Sequence, residues 1–205
     1  DIPDWWNRYV VLDHGHRNPT AALFFAVDDE NNIFLYDMHY QADEWIDHHA
    51  EQIWKKVGND HISLWIADPS IWHVRGGMST DVTIGGQYEE FGINWERADN
   101  DVGGGIDRVA NYMSIDDRTG LPKFFVLDKD CMIPFVDEIQ NYRWEDYKEG
   151  IKNAPEKPLK KDDHAMDALR YFINYMEISK PISPKPHIPQ WLLKKQQQTS
   201  NWKTV

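Results

Sequence analysis

The chain has 205 residues, 41% of them hydrophobic and ten of them tryptophan, which is enough to build one domain-sized core and too apolar for a disordered chain. Its 22 basic and 34 acidic residues leave a formal charge of −12. That balance argues against a generic nucleic-acid binder with a basic footprint, but not against an enzyme that gathers acids around metal ions. No apolar run reaches the roughly 18 residues of a membrane span, and the lone Cys131 excludes an internal disulfide framework. The opening DIPDWWNRY carries no signal-peptide pattern and no initiator methionine, so the expectation is a segment of something longer.

In chain order, Tyr9 to Leu12 reads as a short buried strand ending at Asp13, and Thr20 to Val27 as a second apolar run closed by the turn DDENN. Asn32 to Tyr40 is a third strand, rich in aromatic residues, and the two tight connections predict an antiparallel meander. Asp43 to Val57 then repeats apolar residues at helical spacing. Ile62 to Ala67 returns to strand and stops at Asp68-Pro69. From there to Asn100 the glycine-rich chain reads as irregular, with weak strand pieces such as INWERA. Gly104 to Met113 is a predicted helix, Lys123 to Leu127 a fifth strand, and Cys131 to Tyr142 another helix. The last helix starts at Asp163 and buries Met166, Leu169, Phe172, Ile173 and Met176. The expected architecture is α/β: a mixed five-stranded central sheet with helices on both faces. Residues 1–179 form the domain, and 180–205 a proline-containing basic tail that serves as linker or docking segment.

Acids interrupt the apolar pattern in three places. Asp13 and Asp68 each sit at the carboxyl end of a strand, and Asp167 lies inside the last helix beside its apolar stripe. His164 and Asp167 are spaced i, i+3, and Asp163 and Asp167 i, i+4, a spacing at which acids repel by a few tenths of a kcal/mol. A helix N-terminus, a cation or solvent offsets such repulsion. Taken singly, Asp13 and Asp68 are ordinary turn residues, and Asp162 and Asp163 helix caps. Taken together, if the first and fourth strands are neighbours beneath the last helix, the carboxylates converge. Converged acids in a half-buried cleft destabilise one another unless they are protonated or bridged by a divalent cation. An all-oxygen site with one imidazole suits Mg²⁺ or Mn²⁺ rather than a structural zinc. Two such ions, about 3.5–4 Å apart, activate water and stabilise the leaving oxygen in phosphodiester cleavage.

The segments VLDHGHRNPTAALFFAVD, WIADPS, DVGGGIDRVANYM, GLPKFFVLDKDCMIPFVDEIQNYRW and KKDDHAMDALRY occur in that order. Between about Tyr9 and Tyr175 they resemble the C-terminal nuclease domain of large terminase subunits of tailed bacteriophages. HAMDAL alone is less specific, because resolvases of the RuvC type share it. The resemblance implies an RNase H-like fold and metal-dependent endonuclease cutting of concatemeric double-stranded viral DNA in the host cytoplasm. It implies that Asp13 bridges two metals, that Asp68 binds one, and that Asp167 with His164 completes the site. Asp163 is then an inner- or outer-shell helper, and which of Asp163 and Asp167 contacts the metal stays open. Many relatives carry Glu where this chain has Asp68, one methylene shorter. The family's ATPase motor has a phosphate-binding loop, yet no GxxxxGK[ST] occurs here. The chain is therefore expected to be the nuclease portion alone, cutting without ATP. The portal and the small terminase subunit are expected partners of the full-length protein.

Phosphates need local cations on so acidic a chain. The candidates are Arg17, Arg75, Arg97, Arg108, Lys160 and Lys161. Two other readings stand beside the nuclease: a RuvC-like junction resolvase, and a non-catalytic RNase H-like binding module.

Overall fold

The computed structural model describes residues 2–74, 83–143 and 158–178. β1 (Asn7–Asp13), β2 (Thr20–Val27) and β3 (Ile33–Gln41) form the predicted meander. α1 (Ile46–Val57) follows, then β4 (Ile62–Ala67), α2 (Ile84–Glu90), β5 (Glu96–Arg97), α3 (Gly103–Met113), β6 (Phe124–Val126), α4 (Ile133–Asn141) and α5 (His164–Ile178). The sheet order is β5-β4-β1-β2-β3-β6. β1–β2 and β2–β3 are antiparallel; β1–β4, β4–β5 and β3–β6 are parallel.

The sheet therefore has six strands among the described residues rather than five. The addition is the two-residue β5, inside the INWERA piece that the sequence marks only weakly. α2 is a second correction, since it falls in the glycine-rich stretch before Asn100 that reads as irregular. Thr83 caps this helix by accepting from Gly86 N–H at 3.0 Å. A Cβ on Gly85 would meet the Trp72 indole nitrogen at 2.9 Å, so glycine is there for packing against a side chain. α1 begins at Ile46 rather than Asp43, because Asp43 adopts a left-handed φ of 59° that no helix accommodates.

Alternation of side chains along the strands sends Val11, Leu23 and Phe25 to one face and Val10, Leu12 and Phe24 to the other. α3, α4 and α5 cover the first face; α1 and α2 cover the second. Every residue of β2 is buried, as a central strand covered on both sides requires. Phe25 stacks on Phe172 with ring centroids 4.2 Å apart, a contact worth about 0.5–1.5 kcal/mol beyond area burial that fixes α5 over the middle of the sheet.

Candidate active site

Two strand ends and one helix face build the site. Leu12 pairs with Ala67 across the parallel β1–β4 ladder, so Asp13 and Asp68 are the next residues on adjacent strands. Asp68 N–H donates to Leu12 O at 3.0 Å, which holds the two chain ends side by side. Asp68 also keeps the turn role that its Pro69 suggests: its Oδ1 accepts from Ser70 N–H at the start of a 3₁₀ turn, Pro69–Trp72. α5 crosses above both ends. His164, Asp167 and Tyr171 lie at i, i+3 and i+7 and so share a face. His164 Nδ1 is hydrogen-bonded to Asp13 Oδ2 at 2.9 Å, and the Tyr171 hydroxyl donates to Asp68 Oδ2. One helix face thus reaches both strand-terminal acids, with Asp167 between its two points of contact.

Asp167 is buried, and each of its oxygens has a cation. Arg170 Nη2 donates to Oδ1 at 2.9 Å, and Lys160 Nζ to Oδ2 at 2.6 Å. Lys160 Nζ also stands 3.0 Å from Asp163 Oδ2, a buried oxygen that makes no aligned hydrogen bond. These cations offset the repulsion between Asp163 and Asp167. Arg170 was not singled out from the sequence, although its i+3 spacing from Asp167 is a legible signal. Asp13, Asp163, His164 and Asp167 line one cleft of about 490 Å³ together with Lys160 and Lys161. Asp68, on the adjoining strand end, is not among the residues that line it.

Burial pushes the Asp13 carboxyl above its ordinary range, and the charges of Asp167 and Asp68 push it further, against the opposing hydrogen bond from His164. His164 is raised in turn, first by that hydrogen bond, despite partial burial. For Lys160, burial works against the charge, but the hydrogen bond to Asp167 and its charge outweigh it and raise the pKa. Each direction follows from negative charge packed into a partly dry cleft. Among the described residues no three carboxylate and imidazole groups stand in metal-holding geometry. Lys160 and Tyr171 are turned against the acids instead.

Glu138 on α4 is a further residue the sequence did not reveal. Only 4% exposed, it accepts from the N–H groups of Ala165 at 2.7 Å and Met166 at 3.0 Å, and from the Tyr40 hydroxyl at 2.6 Å. A carboxylate on the first N–H groups of a helix satisfies orphan donors and complements the dipole. The side-chain cap of α5 thus comes from α4, whereas the sequence offered Asp162 and Asp163 for it. Glu138 fixes the turn that carries His164 and Asp167. Burial raises its pKa, and its three hydrogen bonds oppose that shift.

The predicted DNA-contacting cations are scattered. Lys160 and Lys161 line the cleft. Arg17 is exposed in the loop after β1. Arg97 is exposed on β5, with its guanidinium 4.9 Å from the Trp72 ring centroid. Arg108 is committed to packing, donating to Asp101 Oδ2 at 3.1 Å and to Asn174 Oδ1 on α5 at 2.8 Å. Arg75 and the tail 180–205 lie outside the described residues.

Comparison with solved structures finds the same architecture elsewhere. The large terminase of a thermophilic bacteriophage matches with a TM-score of 0.66 at 22% identity, over 86% of this chain and 42% of that one. The P22 large terminase nuclease domain matches with a TM-score of 0.61 at 20% identity, over 86% of this chain and 84% of that domain. The fold is that of the large terminase nuclease domain. The g2p (large terminase) nuclease domain of bacteriophage SPP1, solved with bound Mn, gives a TM-score of 0.52 at 18% identity, over 84% of this chain and 86% of that one. The RNase H-like mixed sheet expected from the resemblance is therefore present. The chain spans less than half the length of the thermophilic phage's terminase, 42% of it. No family model matches the chain, and no curated protein matches it.

Proposed function

We propose that this chain is the nuclease domain of a phage large terminase: a divalent-metal-dependent endonuclease that hydrolyses phosphodiester bonds of concatemeric double-stranded viral DNA in the host cytoplasm. The observation that carries the reading is the α5 face, on which His164 bonds Asp13, Tyr171 bonds Asp68, and Asp167 lies between them. The fold supports it, as do neighbours named as nuclease domains, one of them with bound Mn.

The donor set fits a hard divalent cation. Its carboxylates come from separate elements, Asp163 Oδ2 is buried against the Lys160 ammonium without an aligned hydrogen bond, and Asp13 is held above its ordinary range by burial and neighbouring acids. Asp13, Asp68, Asp167 and His164 would hold Mg²⁺ or Mn²⁺, with Asp163 as helper. When bound, such ions, two of them in this chemistry, lower the pKa of the attacking water and stabilise the leaving oxygen.

The chain's own residues prepare that chemistry. His164 and Tyr171 restrict the rotation of Asp13 and Asp68, and Arg170 fixes one oxygen of Asp167. Lys161 and Arg17 supply positive charge toward phosphates. These 205 residues hold no phosphate-binding loop motif, so their cutting is expected without added ATP. In the full-length protein, an ATPase motor, the portal and the small terminase subunit would bring DNA to it.

The test is cleavage of linear double-stranded DNA with Mg²⁺ or Mn²⁺. Wild type should cut without ATP. Asp13→Asn and Asp167→Asn should reduce cutting to background while circular dichroism stays native. Undiminished cutting by either variant would remove its carboxylate from the mechanism; no cutting with any divalent ion would overturn the reading.

A further inference from the structure

Two cations contact Asp167, and they differ in kind. Arg170 is a fixture: its side chain is 3% exposed and also donates to Asp101 O at 3.3 Å. Lys160 is 57% exposed and reaches in from the segment before α5. Its backbone is steered there by two features. Leu159 N–H donates to Arg143 O at 2.8 Å, and Asp162 takes a left-handed φ of 49°, a conformation uncommon outside glycine. The chain therefore folds back so that one ammonium lies 2.6 Å from Asp167 and 3.0 Å from Asp163. A lysine tethered by a flexible four-carbon stem can withdraw without disturbing the fold; the buried arginine cannot.

We propose that the Lys160 ammonium is a built-in counter-cation, which occupies the acid cluster of α5 until a divalent ion displaces it. The proposal rests on the metal-dependent reading above and adds a property to it. One Asp167 oxygen and one Asp163 oxygen lie against the ammonium, and Arg170 holds the other Asp167 oxygen, so an ion that binds Asp167 takes the oxygen the ammonium occupies. Lys160 and the ion therefore exclude each other. The exclusion gives the cleft charge balance without metal, and it sets a threshold of metal concentration below which the acids stay closed on lysine. The displaced ammonium then lies at the mouth of the same cleft, free to meet a phosphate.

Metal affinity tests this without reference to activity, because a merely structural lysine and a competing lysine predict opposite signs. Mn²⁺ binding to the 205-residue chain is measured by isothermal titration calorimetry for wild type, Lys160→Met, Lys160→Arg and Asp13→Asn. Removing the cation that the ion must displace should tighten Mn²⁺ binding by roughly tenfold or more in Lys160→Met, because the acids no longer give up an ion pair on binding. Lys160→Arg should stay close to wild type, and Asp13→Asn should lose binding, which assigns the heat to this cleft. The metal-free melting temperature of Lys160→Met should be no higher than that of wild type, with a larger rise on adding Mn²⁺. Equal or weaker binding by Lys160→Met would overturn the role of Lys160 and leave the metal-dependent reading standing. Absence of binding in both wild type and Lys160→Met would overturn both.

Discussion

Histidines pack against both faces of the sheet, and the two faces treat them oppositely. Beneath α1, His39 and His49 meet through their ring nitrogens at 2.9 Å, with His49 fully buried. Burial comes first, the neighbouring imidazoles second, and together they push His39 down to about 4; His49 is lowered for the same first reason. On the other face, His164 is also partly buried, yet its hydrogen bond to Asp13 raises it. Burial acts in the same direction in both places. What differs is a carboxylate within hydrogen-bond reach, and that difference separates imidazoles pushed toward the neutral form from one pushed toward the charged form.

The contrast can be broken on the charged side first. Arg170→Ala removes the fixed partner of Asp167 and leaves a buried carboxylate dependent on Lys160 alone. Breaking a buried pair in this way should cost about 3–5 kcal/mol of unfolding free energy, read by urea denaturation. A loss below about 1 kcal/mol would mean that solvent, not Arg170, carries the charge of Asp167.

The neutral side is probed by pH. The folded pKa of His39 is below its unfolded value of 6.5, so the unfolded chain takes up the proton first. Stability is complete above about pH 6.5 and declines as pH falls toward about 4, by up to about 3 kcal/mol from this group. The sign is opposite for His164, whose contribution is present below 6.5 and lost as pH rises through its raised value. Histidine ring resonances followed by NMR sharpen the comparison: His39 should stay neutral down to about pH 5, and His164 should hold its proton above 6.5. Titration of both at the same pH would erase the distinction.

Glu138→Gln tests the support beneath the charged side. An amide can keep some of the three hydrogen bonds but turns a donor toward another donor, for a cost of about 1–3 kcal/mol. Thermal melting together with DNA cleavage would show whether the first turn of α5 shifts. Unchanged values in both would make Glu138 a passive cap.

The strand-terminal acids and the His164–Asp167 spacing were legible because periods of two and 3.6 residues place side chains without knowledge of the whole fold. The supports were not. Glu138 occupies an ordinary-looking position on an amphipathic helix, and only the approach of the α5 N-terminus gives it a role. Tyr171 lies outside the predicted buried stripe of the last helix, and its hydroxyl finds Asp68 across 103 residues of sequence. α2 was hidden because the reason for Gly85 is Trp72, a tertiary neighbour. Lys160 was expected at a phosphate; its pairing with Asp163 and Asp167 depends on the left-handed turn at Asp162, which no local signal announces.

The most direct measurement is an anomalous difference map from crystals soaked in Mn²⁺. A peak in the cleft shared by the Asp13 carboxylate and at least one carboxylate of Asp163 or Asp167, with Lys160 turned away, is the predicted result. No peak at saturating Mn²⁺, or one remote from Asp13 with Lys160 still against Asp167, would contradict it.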